Sequence, residues 1–371
     1  MSSVRPAQAL LATTAVTWRQ PRCGVRRLLA VALAWAAVAW APAAPAEEVP
    51  WLYEVSVPVA DQSAAARIDA AGQALAELLT RLTGLASVPR NDAVTRALAA
   101  PDLYYNQFAF ERAPDGEGLR LRLQFTPRAV LELVRDARLP IWRANRPAVV
   151  AWVVLDDGGE RRILGADSDH PVVTALRERA RQRGLPLRLP LLDLADQLAV
   201  APAAVWGRLS QTLEPASARY GADIVLVGRV VALDESRWAA SWEFWVEGEI
   251  RDLDLEAAEP GRLGRAAADL LADELASRYA VLDRGVRQLD LTVSAVRSPA
   301  DYAELLRYVG GLEFVEQVAV TRVDGDRLGI SLFTSAEPDQ LLELFRLDQR
   351  LFPDLLNDAP AGAIGLAWRR R

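Results

Sequence analysis

Ala148-Val-Val-Ala-Trp-Val-Val-Leu155 is an unbroken apolar run, preceded by the arginine- and proline-rich stretch Leu139-Pro-Ile-Trp-Arg-Ala-Asn-Arg-Pro147. A short run rich in β-branched residues, with no polar alternation, fits a strand buried on both faces and therefore a sheet covered on both sides. The stretch before it reads as a linker. Beyond it come a helix over Val172 to Arg183, a strand near Leu187 to Leu192, a helix over Ala203 to Tyr220 and the strand Asp223 to Leu233. Strands alternating with helices predict a mainly parallel sheet with right-handed crossovers. Trp238, Ala240, Trp242, Phe244 and Val246 then alternate with Ser241, Glu243 and Glu247, giving a further strand with one continuous apolar face. It pairs with its predecessor across Asp234-Glu235-Ser236. A helix from Arg265 to Tyr279 closes a middle domain over residues 146–283.

Two smaller units flank this domain. In residues 47–140, strand Trp51 to Val59 leads into a helix capped by Asp61 or Ser63, with Ile68, Ala71, Leu75, Leu78, Leu79 and Leu82 on one face and Gly84 as a left-handed stop. Strands Tyr104 to Phe110 and Leu119 to Phe125 follow around Pro114-Asp115-Gly116, then a helix over Pro127 to Arg138. Residues 286–352 repeat the order: strand Leu289 to Val296, helix Pro299 to Tyr308, strands Phe314 to Val323 and Arg327 to Phe333 about the hairpin signal Asp324-Gly325-Asp326, and helix Pro338 to Leu347. Residues 353–371 read as a tail. The predicted class is α+β with α/β: two small strand-helix-strand-strand-helix sandwiches flanking a mixed, mainly parallel middle domain.

The first 46 residues carry Arg5, Arg19, Arg22, Arg26 and Arg27 with no acid before Glu47. An apolar run from Leu28 to Trp40 and the small residues Ala44-Pro45-Ala46 follow, the pattern of a signal peptide cut near Ala46. An uncleaved anchor or a buried helix is the alternative. Cys23 precedes the apolar run, so lipobox geometry is absent; Arg26-Arg27-Leu28-Leu29 resembles a twin-arginine signal, but no cofactor-loading motif follows and Sec export to the periplasm is expected. Cleavage leaves 38 arginines against 49 acids and moves the net charge from -6 to near -11, which disfavours nucleic acid as a partner. It also removes the one cysteine, so stability rests on packing.

Missing residue types exclude much chemistry. Every one of the 43 basic residues is arginine, so Walker lysines, Schiff bases and Ser-x-x-Lys nucleophiles cannot occur. His170 is the single histidine, which rules out clustered His/Cys zinc sites. Asp167-Ser-Asp-His170 fits a polar loop capping the next helix better than a triad, because neighbours in sequence seldom meet in triad geometry. Asp156, Asp157, Asp193 and Asp196 stand at strand ends of the middle domain, where open sheets place ligands, although Asp193 is first expected to be a turn or helix-capping residue. Trp142 and Arg143, in the linker, are candidates for an exposed contact. No cofactor is expected.

Three stretches resemble a Gram-negative envelope family labelled domain of unknown function 2066: Trp51 to Gly84, with Val-Pro-Val-Ala-Asp-Gln-Ser and Leu-Leu-Thr-Arg-Leu-Thr-Gly; Leu139 through Trp152; and Gly184-Leu-Pro through Leu192-Asp193-Leu194, continuing to Gly221-Ala-Asp-Ile-Val-Leu-Val-Gly-Arg229 and Trp238 to Trp242. That resemblance implies no known reaction and assigns no catalytic residues. The middle domain is also similar to periplasmic modules of the TolB N-terminal and penicillin-binding-protein-activator type, which bind other proteins. Arg229 thereby joins Trp142, Arg143 and Asp193 as an interaction candidate. The leading expectation is a noncatalytic periplasmic interaction or assembly factor using exposed edges or interdomain grooves. A binding protein for a glycan or lipid fragment, held between the first and middle domains near Trp142, is the alternative; a carboxylate hydrolase using Asp193 is the third. Arg369-Arg370-Arg371 is a candidate for contact with anionic lipid.

Overall fold

Ser63, Gly84 and the apolar stripe between them fix the first long helix, as the spacing predicts. In the computed structural model, which describes residues 47–370 apart from 114, 115, 117, 235, 247, 248, 283, 284, 355–358 and 361, the Ser63 hydroxyl accepts from Ala66 N at 3.2 Å. Gly84 ends the helix at φ 70°. Residues 1–46, over which a signal peptide is expected, Arg371, and Pro114, Asp115 and Glu235 of the two expected turns lie outside the described residues, as does Glu247.

The N-terminal unit comprises β1 (Glu47–Glu48), β2 (Glu54–Val59), α1 (Ala64–Thr83), α2 (Asp92–Ala99), β3 (Tyr105–Arg112), β4 (Leu119–Phe125) and α3 (Pro127–Asp136). Its sheet runs β2-β4-β3, with both ladders antiparallel, so β2 and β3 are parallel strands split by β4. Ala71, Leu75, Leu78, Leu79 and Leu82 of α1 are buried against this sheet, whereas Ile68 is 38% exposed. The linker forms two short strands, β5 (Ile141–Trp142) and β6 (Asn145–Arg146), and β6 pairs with β1.

The middle sheet contains β7 (Val149–Asp156), β8 (Arg161–Leu164), β9 (Leu187–Arg188), β10 (Ile224–Asp234), β11 (Arg237–Val246) and β12 (Glu249–Ala257). Between these strands lie α4 (Pro171–Gln182), α5 (Leu194–Ala199), α6 (Pro202–Trp206) and α7 (Ser210–Ala218); α8 (Pro260–Tyr279) and β13 (Ala280–Val281) follow. β7 is buried on both faces, as its composition dictates. Val149, Ala151, Val153 and Leu155 enter the core under α4 and α8, while Val150, Trp152 and Val154 pack under α6 and α7. The strand order is β12-β11-β10-β7-β8, with β9 also on β7. Only β7–β10 and β7–β9 are parallel; β7–β8, β10–β11 and β11–β12 are antiparallel. The expected mainly parallel sheet is thus corrected to a parallel centre with antiparallel flanks. β8 and β12 make the difference, and both are strands that local sequence does not announce.

The third unit is β14 (Arg287–Ser294), α9 (Pro299–Gly310), β15 (Val315–Asp324), β16 (Arg327–Thr334), α10 (Pro338–Asp348), β17 (Leu351–Pro353) and β18 (Ile364–Trp368). Its order, β15-β16-β14-β18-β17, repeats the split β-α-β of the N-terminal unit. β18 lies parallel to β14, so part of the expected tail is an interior strand. Leu366 is fully buried there and Trp368 nearly so, and their burial is what draws the segment into the sheet. One continuous apolar cluster joins the cores of the middle and third units.

Candidate functional site

The three stretches that carry the family resemblance converge on one buried junction. Arg81 on the last turn of α1, Arg146 on β6 and Arg183 at the end of α4 are each at most 1% exposed. Helix C-termini leave carbonyls without partners and concentrate negative partial charge, so a guanidinium aimed at them is stabilising. Arg146 does this for both helices. It donates to Arg81 O at 2.8 Å, Gly184 O at 2.8 Å, Arg143 O at 2.9 Å, Trp142 O at 3.0 Å and Arg183 O at 3.4 Å. Burial, and then the charge of Arg81, lower its pKa to about 9. Arg81 in turn donates to Trp51 O, Leu52 O and Glu54 O and pairs with Glu77, while Arg183 donates to Gly84 O and pairs with Asp269 and Asp273. A Cβ on Gly184 would lie 2.1 Å from Arg146 Nη1, which explains the glycine in the Gly184-Leu-Pro stretch.

Trp142 sits beneath Arg146, is 1% exposed, and pairs through β5 with Ala280 of β13. The expected exposed contact is therefore corrected: the linker runs through the interior, and Trp142 is a core residue. The Arg146 guanidinium covers the Trp142 ring, so the ring is not exposed as a contact for a ligand between the first and middle units. A groove of about 650 Å³ between β2 and α4 is walled by Arg120 and Arg181 instead.

Arg143 is also buried, at 8% exposure, but it points to the other side of the linker. Its Nε reaches Glu313 Oε2 at 2.8 Å and its Nη1 reaches Asp348 Oδ2 at 3.0 Å. Tyr308 OH donates to the same Asp348 oxygen at 2.6 Å, and Asn145 Nδ2 donates to Asp348 Oδ1. Burial alone would lower the pKa of Arg143, but Glu313 and Asp348 outweigh it and raise the value. Burial and then Asp348 raise the Tyr308 phenol well above its ordinary value. Beside this network, between the linker and α9 and α10, is a cavity of about 620 Å³.

Asp193 caps α5, accepting from Asp196 N at 3.0 Å, and both its oxygens accept from Arg219, at 2.8 and 2.7 Å. Asp196 is 1% exposed and accepts from Arg219, Leu192 N and Tyr220 OH. Asp156 and Asp157 pair with Arg161 and Arg162 instead, so the two carboxylate pairs are tied to different arginines. Among the described residues no group of three or more His, Cys, Asp or Glu side chains could hold a metal. His170 Nδ1 accepts from Val172 N at 3.3 Å as the cap of α4, and burial, then Arg162, lower its pKa.

Arg229 is half-buried on the face of the middle sheet that α6 and α7 cover only in part. The register aligns Arg229 with Ser241 and Asp254 across β10, β11 and β12, so the three share one face. Arg229 Nη2 reaches Ser241 Oγ at 3.3 Å, and its guanidinium lies 5.8 Å from the Trp206 ring. A groove of about 540 Å³ is walled by Trp206, Arg229, Val231, Ser241 and Asp254. The neighbouring β12 is the outer strand of the sheet, a feature the sequence reading missed. Asp252, Asp254 and Glu256 line its groove side in alternation with Leu253 and Leu255, which pack on the core.

These elements define an α+β protein with a sealed arginine junction, a polar cavity and an open sheet margin at β12. In its first part the chain matches the family model of DUF8605, a domain of unknown function, over residues 46–143. That is a different family model from domain of unknown function 2066. None of the curated proteins matches the chain. Among solved structures, a formyltetrahydrofolate deformylase from Pseudomonas putida KT2440 is similar at 13% identity over 50% of this chain and 87% of its own, with a TM-score of 0.17. Nothing about this chain follows from a likeness of that size.

Proposed function

We propose that this chain is an exported, noncatalytic protein of the cell envelope that docks a partner by strand addition to the outer edge of β12. One observation carries the reading: β12 pairs with β11 through nine consecutive residues without a bulge, and its other edge has no strand partner among the described residues. Such an edge is a template for an added strand, in which main-chain hydrogen bonds give affinity and alternate side chains give selectivity. The other long edges are guarded differently. β3 is interrupted by a register shift at Tyr105/Gln107, and β15 by shifts at Val315/Gln317 and Val320/Arg322.

The chemistry of the partner follows from the face of β12. Asp252, Asp254 and Glu256 call for an extended segment with basic residues at alternate positions and apolar residues between them. A second copy of the same edge would set acid against acid, which is destabilising. Export is supported by the arginine-rich, acid-free first 46 residues and their apolar run. The test is a double charge reversal, Asp252→Arg with Asp254→Arg, assayed in crosslinked envelopes. The discrete adduct of the unaltered chain is expected to disappear while the melting temperature holds. An adduct of unchanged yield would overturn it.

A further inference from the structure

The cavity beside Arg143 has a lopsided donor and acceptor inventory. All six oxygens of its three carboxylates have a hydrogen-bond or ion-pair partner: Asp348 in Arg143, Tyr308 and Asn145, Glu313 in Arg143 and Ala144 N, and Glu304 in Arg350 and, as an ion pair, Arg370. The guanidinium groups are not used up. Arg143 Nη2 donates to nothing among the described residues, although the side chain is more than nine-tenths buried and lines the cavity. Arg350 spends only Nη1, on Glu304 at 3.2 Å. Arg307, exposed at the cavity wall, has no ion pair among the described residues. Since a guanidinium carries five donors and no acceptor, the walls retain donors that no protein oxygen takes.

We infer that this cavity binds a small organic oxyanion, a carboxylate or phosphate, through Arg307 and Arg350 at its mouth and Arg143 Nη2 at its floor. Guanidinium forks match the paired oxygens of both groups, and about 620 Å³ accommodates a ligand larger than a bare ion. The Tyr308 ring and Leu312 supply the wall for its carbon body. The site is separate from the β12 edge, and its occupancy is independent of any docking there.

Calorimetric titration of the full chain with citrate and, separately, with inorganic phosphate tests this at about 0.15 M salt, where exposed charges are largely screened. Saturable one-to-one binding of either probe is expected, the stronger probe telling planar carboxylate from tetrahedral phosphate. Arg307→Gln and Arg350→Gln should each weaken it about tenfold or more, the loss of one charge-assisted contact. Arg307→Gln should leave the thermal melt unchanged, because its side chain is exposed. No saturable heat with either probe, or an affinity in both variants unchanged from that of the unaltered chain, would overturn the inference.

Discussion

The Arg146 guanidinium stacks 4.0 Å from the centre of the Trp142 ring, while its Nη2 donates to the Trp142 carbonyl at 3.0 Å. One buried cation thus holds the linker from above and gathers the carbonyl ends of α1 and α4 around itself. All five of its hydrogen-bond acceptors are main-chain carbonyls, so its role is to join segments distant in sequence.

Arg146→Met is expected to lower the unfolding free energy by about 3–5 kcal/mol, since several buried carbonyls lose their donor at about 1–3 kcal/mol each. Arg146→Lys should recover only part of it, since an ammonium has three donors for five carbonyls. Urea denaturation measures both. A loss below about 1 kcal/mol for the methionine variant would show that the carbonyls find other partners.

Gly184 and Gly158 separate backbone strain from crowding. Both have positive φ, 75° and 96°, but a Cβ on Gly158 meets nothing within 4 Å, whereas one on Gly184 meets Arg146. Gly158→Ala should cost about 1–2 kcal/mol from conformation alone. Gly184→Ala should cost roughly twice that, because the Arg146 guanidinium must also move. Equal losses in thermal melts would contradict this placement of Arg146.

Asp193 gives the acid limb a specific signature. Hydrogen bonds from Arg219, and then from Asp196 N, hold its carboxyl below the ordinary 3.8. A depressed carboxyl contributes stability that is complete above its unfolded value and is lost as pH falls below it. Asn also caps helices well, so Asp193→Asn removes the charge pairing with Arg219 while retaining a cap. The stability gap between the two chains should be present at pH 7 and narrow as pH is lowered through 3.8 and beyond. A gap that stays constant would assign the loss to capping geometry.

The acids of β12 are expected to keep copies of this chain apart. Asp252→Val with Asp254→Val would leave a long edge with apolar residues on both sides, a predicted self-association site. Size-exclusion chromatography should show concentration-dependent oligomers for this variant and not for the unaltered chain. Identical elution over the same range would mean that the edge is guarded by something other than charge.

Much of this architecture is legible where local signals agree. Ser63 and Gly84 bracket α1, Thr126-Pro127 opens α3, Asp324-Gly325-Asp326 turns β15 into β16, and the apolar run at Val149 gives a doubly buried strand. The misses have physical causes. The helix expected over Ala203 to Tyr220 breaks at Gly207 and at Arg208, which takes φ 54°, and yields α6 and α7. β12 is heavily acidic, so its strand state comes from pairing with β11 rather than from propensity. β18 follows a segment that reads as a tail, and only its place beside β14 makes it a strand. Of the interaction candidates, Arg229 and Asp193 are accessible, whereas Trp142 is core and Arg143 shows only one edge to a cavity. A tryptophan in an arginine-rich linker looks exposed until a stacked arginine covers it, and no local pattern announces that stacking.

Photo-crosslinking from a probe amino acid at position 254, compared with one at position 320 on the bulged β15 edge, tests the docking proposal most directly in intact envelopes. A discrete adduct is expected from position 254 that is absent from position 320 and is lost on acid-to-arginine reversal at position 252. No adduct from position 254, or the same adducts from both edges, would contradict it.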